Sequence, residues 1–332
     1  MLPQAAQADT PNGEFASFGH RIDIDDYVQV QGFALPTPGG PADVLSDGRL
    51  VVLSNTTVLR ETAPGSRSFV TLGTLPDADI SVFGASFLSV SPDDRRIAVG
   101  NNGGASFSNF EVGIFTLSSV SGTWFKANSF LGEWINNRFV ALTAGTFGTP
   151  SIVTVLDRFS TDPAHPSNRT IIQNIGGASG GIAFDKAKNL YTGNGFAITG
   201  PSTTGTVKAF RILDWLPALL GGPALDFEAD GTAIVTVLSA APLGFDRGGN
   251  LFVGGGDFGG AGGIDFAAVI SAGAVRSALR GHGPVDVNDP NELRKLDPDP
   301  EPSSFYNVIV NEARNEAYLN STGSTVFVFR AN

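Results

Sequence analysis

The chain has 332 residues, 42% of them hydrophobic and 16% charged, so it carries ample material for a core and less charge than the roughly 25% usual in soluble domains. Its net charge of −11, without any run of lysine and arginine, excludes a phosphate backbone as partner. It has no cysteine, which removes disulfides, thiolate nucleophiles and thiolate metal sites together and suits an oxidising compartment.

Residues 1–13 read as a disordered tail, being rich in proline, glutamine and alanine without periodicity. The opening MLPQAAQADTPNGEF has the small-residue character of the end of a signal peptide, so an exported protein, periplasmic or secreted, is expected. No apolar run approaches 18 residues, so no membrane span is expected. Two strand-like runs follow, ASFGHRIDI and the alternating YVQVQGFAL.

From there one unit recurs: a short apolar strand, a tight polar turn and a second apolar strand. It reads ADVLSDGRLVVLS from Ala42, FLSVSPDDRRIAVG from Phe87 and LGEWINNRFVALT from Leu131. It returns as GGIAFDKAKNLYTG from Gly180, LGFDRGGNLFVGG from Leu243 and FYNVIVNEARNEAYLN from Phe305. The first apolar residues after the turns are Leu50, Ile97, Phe139, Leu190, Leu251 and Ala317, spaced by 47, 42, 51, 61 and 66 residues. Each unit is followed by further strand-like runs, for example FEVGIFTL and TWFKA in the second and IDFAAVIS and AVRSAL in the fifth. Four short strands per roughly 40–50 residues is the period of a propeller blade. The expected fold is therefore all-β, a six-bladed β-propeller occupying residues 14–332 as one domain. Seven blades is the alternative, should Glu14 to Leu35 hold more than one strand. The last blade has three strands before Asn332, and YVQVQGFAL supplies the fourth, which closes the ring and removes two open edges.

GGIAFDKAKNLYTG and PLGFDRGGNLFVGG resemble the NHL-type repeat, and SVSPDDRRIAVGN resembles a blade segment of the gluconolactonase and senescence-marker superfamily. The resemblance covers about a dozen residues in each of six blades, and it is specific for the propeller fold rather than for an activity.

With strands A to D numbered outward from the axis, A–B and C–D turns share one face, and B–C loops and blade-to-blade connections share the other. The A–B turns are short, whereas four B–C loops are long: 101–109, 144–150, 194–205 and 255–263. Read as a blade-to-blade connection, residues 280–304 fall on the B–C face too, and that face is the expected binding surface. Asp43, Asn102, Glu133, Asn194 and Asp257 are placed near the channel mouth, where oxygen ligands suit Ca²⁺. Lactonase-type propellers, by resemblance, hold such an ion with one Glu, two Asn and one Asp, but their Glu-Gly-Pro opening is not present here. Turn Asn and Asp also commonly satisfy their own backbone.

His282, in RGHGP, is the general-base candidate beside Glu133, and His165 is placed on the opposite face. Phe107, Phe110, Phe147, Phe196 and Phe258 recur in the B–C loops, either as an apolar ligand platform or as pins for the loops. Three readings stand. The first is an exported propeller binding a small-molecule or carbohydrate-like ligand. The second is a Ca²⁺-dependent lactonase-like or ester hydrolase. The third is a protein-interaction scaffold. A monomer is expected, with neither nucleic acid nor membrane span.

Overall fold

Six sheets, antiparallel except for one added strand, stand around one axis. The structure, a computed structural model, describes residues 22–36, 40–76, 80, 85–101, 110–144, 150–176, 178–196, 205–237, 239–256, 265–296, 307–320 and 324–332. Of residues 178, 179, 195, 196, 265 and 266 it describes the backbone alone. The expected tail, 1–13, lies outside the described residues.

After β1 (Tyr27–Ala34), blade one is β2 (Ala42–Val44), β3 (Leu50–Ser54), β4 (Thr57–Glu61) and β5 (Phe69–Thr74). Blade two is β6 (Ala85–Val90), β7 (Arg96–Asn101), β8 (Glu111–Thr116) and β9 (Ser121–Lys126). Blade three is β10 (Leu131–Trp134), β11 (Phe139–Ala144), β12 (Ser151–Asp157) and β13 (Asn168–Ile175). Blade four begins with β14 (Ala178–Phe184), β15 (Leu190–Phe196) and β16 (Gly205–Phe210). Its C–D connection holds α1 (Ile212–Leu219), β17 (Leu225–Asp226) and α2 (Phe227–Asp230), and β18 (Thr232–Val237) completes it. β17 leaves its own blade and pairs parallel with β13 as a fifth strand of blade three. Blade five is β19 (Leu243–Phe245), β20 (Leu251–Gly256), β21 (Asp265–Ile270) and, after α3 (Ala272–Leu279), β22 (Leu293–Lys295). Blade six is β23 (Asn307–Asn311), β24 (Glu316–Asn320) and β25 (Thr325–Ala331), with β1 paired antiparallel to β25 as its outer strand. The six innermost strands touch in ring order, β2, β6, β10, β14, β19, β23 and back to β2.

The repeat grammar has a packing cause. The second strand of a blade is covered on both faces by neighbouring blades, so it reads as an unbroken apolar run rather than an alternation. β3, β7, β20 and β24 are buried along nearly their whole length. Six apolar clusters fill the six gaps between blades, and each fully buried Val or Leu in them is worth about 1.5–3 kcal/mol.

The polar turn has a cause as well. In blades four and five the turn Asp takes both the backbone and side-chain N–H of the Asn four residues on. Asp185 accepts from Asn189 at 2.9 and 2.8 Å, and Asp246 from Asn250 at 2.8 and 2.7 Å. The freed Asn oxygen then accepts the first backbone N–H of the helix that follows strand C, from Ile212 at 3.2 Å and from Ala272 at 2.8 Å. One Asp–Asn pair therefore sets both the A–B turn and the C–D connection.

One expected strand is a helix. AVRSAL forms most of α3, because the Ser271 hydroxyl caps Ala274 N–H and Ala274, Val275 and Ala278 bury one face. The outer strand of blade five is instead β22, paired antiparallel with β21. Residues 280–292 are thus a C–D connection on the A–B face. The placement of the whole 280–304 stretch with the B–C loops is corrected accordingly; 297–304 lie outside the described residues.

Candidate functional site

All six innermost strands line an axial cavity of about 260 Å³. Its walls include Phe87, Leu88, Phe184, Leu243 and Phe245, and its polar lining includes Asp43, Glu133 and Glu312. Strand pairing sets the depth of each group. Val44, Val90, Phe184, Phe245 and Val310 face the first apolar residue after their turns, which defines one level around the ring. Asp43 faces Val51 and Ser89 faces Ala98, one step further from the A–B turns, and Glu133 faces Ala141, two steps further.

Asp43 and Glu133 converge on blade two from its two sides. Asp43 Oδ2 accepts Val90 N–H at 2.6 Å, and its Oδ1 accepts Val44 N–H at 2.7 Å. Glu133 Oε2 accepts the Ser89 hydroxyl at 3.2 Å, while Trp134 Nε1 donates to the Ser89 carbonyl at 3.1 Å and fixes that residue. Burial pushes Glu133 up to about 8, and the neighbouring Asp43 adds to this against the opposing pull of Ser89 and Lys188. Burial likewise pushes Asp43 up to about 6, against its two backbone donors and with a further push from Asp94. Both carboxyls are therefore held above the ordinary carboxylate range. Glu312, at the A–B end, is also raised, chiefly by burial.

Of the five expected metal ligands, the structure brings Asp43 and Glu133 together away from the B–C mouth. Asn194 pairs with Ser179 at the B–C end of its blade, three pair positions from the level of Asp43, or about 10 Å along the axis. Its side-chain oxygen accepts Thr206 N–H of its own blade, so it serves its own backbone rather than the channel. Asn102 and Asp257 lie outside the described residues, among which no group of three acidic or histidine side chains could hold a metal ion.

The expected base is displaced too. His282 is exposed on the A–B face, where its backbone N–H closes the end of α3 on Ser277 O at 3.2 Å. His165 lies in the C–D connection of blade three, on the same face as His282 and not opposite it. Phe110 is half-buried just before β8, and Phe196 ends β15, its side chain not described. Phe107, Phe147 and Phe258 lie outside the described residues.

Sequence reasoning missed Ser89 and the inner-strand phenylalanines Phe87, Phe184 and Phe245. Aligning the inner strands backwards from each turn would have found Ser89, since it shares its level with Asp43.

The chain is thus a six-bladed member of the β-propeller class. It is similar to the holo form of the pyranose dehydrogenase PQQ domain from Coprinopsis cinerea, at 12% identity over 92% of this chain and 95% of that one, with a TM-score of 0.57. A chain of the mitotic checkpoint complex aligns at 13% identity over 99% and 98%, with a TM-score of 0.51. The Myceliophteria thermophila Cps50 (Swd1) β-propeller domain aligns at 10% over 91% and 99%, with a TM-score of 0.50. At these identities the likeness shows the fold alone. No protein-family model matches the chain, and no curated protein matches it in sequence.

Proposed function

We propose that this propeller binds a small polar ligand in its axial channel. The observation that carries this reading is the cavity itself, where Asp43 and Glu133 converge among aromatic and aliphatic walls. Ligand sites are concave and mostly apolar, with a few convergent polar groups of perturbed pKa. The Asp–Asn turns of blades four and five support an NHL-like kinship within the class, and the absence of cysteine supports an exported setting. The reading moves the expected binding site from the B–C loops into the channel.

The test is a ligand-induced thermal shift against monosaccharides, sugar acids, their lactones and small amines, repeated with Val310→Phe, which narrows the channel near the A–B turns. At least one compound is expected to raise the melting temperature of the wild-type chain and to lose that effect in the folded variant. A panel without effect, or a shift that survives Val310→Phe, would sink the reading.

A further inference from the structure

Three carboxylates line the cavity, Asp43, Glu133 and Glu312, and no Lys, Arg or His is among its lining residues. Within a chain of net charge −11 that alone would be ordinary, but these groups converge on one axial cavity of mixed polar and apolar lining. Their hydrogen bonding is unequal. Both oxygens of Asp43 are taken by backbone N–H groups of Val44 and Val90. Glu133 accepts one hydroxyl on Oε2, and no described residue donates to Oε1. Glu133 is therefore the open acceptor, and among the described residues no cation lines the cavity with it; Lys188, whose Nζ lies 6.0 Å from the Phe184 ring centroid, acts on Glu133 by its charge but makes no hydrogen bond to it. Around it Phe87, Phe184 and Phe245 present ring surface, the type of wall that takes an apolar body and attracts a positive charge.

Resting on the channel reading above, we propose that the ligand carries a protonated amine. Its ammonium group docks on Glu133 beside Asp43, and its hydrocarbon part lies against the channel phenylalanines. The cavity, at about 260 Å³, lies just below the range of drug-sized pockets and suits a small monoamine. A desolvated ammonium–carboxylate contact separates such a ligand from a neutral molecule of the same shape, because the neutral one leaves the carboxylate unmet.

The test compares benzylamine with benzyl alcohol by isothermal titration at pH 8, using the chelator-treated full chain and then Glu133→Gln. Wild-type protein is expected to bind benzylamine about 30-fold more tightly than benzyl alcohol, and Glu133→Gln to bring the two within about threefold. The wild-type comparison needs no variant, so it stands even if Glu133→Gln fails to fold. Equal binding of the two probes, or a preference that survives Glu133→Gln, overturns the amine inference and leaves the channel reading intact. Binding of a sugar from the panel with neither probe bound does the same. Added Ca²⁺ that displaces benzylamine from Glu133 would make this a metal site and overturn the inference as well. If nothing binds at all, both readings fall together.

Discussion

Two carboxylate sites in this propeller, one fully buried at a blade seam and one half-buried on the channel wall, are built in opposite ways. At the seam between blades six and one, Glu316 is fully buried and surrounded by donors. It accepts from Arg314 at 2.8 and 3.0 Å, Tyr318 OH at 2.6 Å, Arg330 Nε at 2.9 Å and Arg67 at 3.5 Å. Arg67 also lies over the rings of Phe33 in β1 and Tyr318 in β24, at 4.0 and 5.3 Å. Gly65, at φ +73°, leaves room for the Arg314 guanidinium, which a Cβ there would meet at 2.1 Å. Burial raises Glu316, but its arginine and tyrosine donors outweigh that and hold it down at about 2. On the axis, Asp43 and Glu133 have no arginine and are pushed up. Burial acts on both sites, and the charged arginine donors decide the sign, since Asp43 is raised despite two backbone donors. A satisfied carboxylate closes the ring, and an unsatisfied one is left facing a cavity.

The largest expected effect breaks the first member of the comparison. Glu316→Gln keeps the volume but leaves Arg67, Arg314 and Arg330 without their shared counter-charge. Removing one partner of a buried ionic network costs about 3–5 kcal/mol. The sign against pH follows from the depressed pKa. Glu316 stabilises the fold above its ordinary value near 4.5, and that contribution is lost as pH falls through about 2. Urea unfolding of wild type should therefore weaken over this window by about 3 kcal/mol more than that of the variant. A variant that melts with wild type at pH 7 would show the seam to be mechanically idle.

The second member should answer with the opposite sign. Glu133 binds its proton more tightly folded than unfolded, so the fold loses stability as pH rises from its ordinary 4.5 through about 8. Glu133→Gln should be more stable than wild type at pH 8, by on the order of 2 kcal/mol, with the gain vanishing near pH 4. Urea midpoints at the two pH values measure it. Equal midpoints at pH 8 would mean that water or a counter-ion solvates the pair and that the channel is wetter than its walls imply. A residue that lowers stability and lines a cavity is the usual signature of function kept at the expense of fold.

The sequence carried the fold because the fold is repeated. The doubly covered second strands Leu50–Ser54, Leu251–Gly256 and Glu316–Asn320 each read as an apolar run after a polar turn, and the lone alternating strand Tyr27–Ala34 had one open edge left to fill, against β25. What broke the reading was not repeated. Ala272–Leu279 is short and alanine-rich, and nothing in its period separates a strand from a helix until Ser271 is seen capping it. That one element sent residues 280–292, His282 among them, to the wrong face. The site was legible only in part. Asp43 and Glu133 stand out as acids in inner strands, but their meeting depends on a one-residue difference in depth and on Ser89 in the blade between them. The phenylalanine walls read as ordinary core.

Ser89 offers the smallest and sharpest test. Among the described residues it is the one donor to Glu133, whereas Glu316 has four. Its hydroxyl favours the carboxylate, so Ser89→Ala should push Glu133 higher still, and by more than loss of one donor would move Glu316. The stability deficit should be at most about 1 kcal/mol and should grow with pH, since the bond matters most when Glu133 is ionised. Carboxyl carbon shifts followed by NMR through the titration would read the change at Glu133 directly. A titration that does not move would mean that Glu133 takes its proton from another direction, and the donor-counting argument for both sites would lose its simplest support.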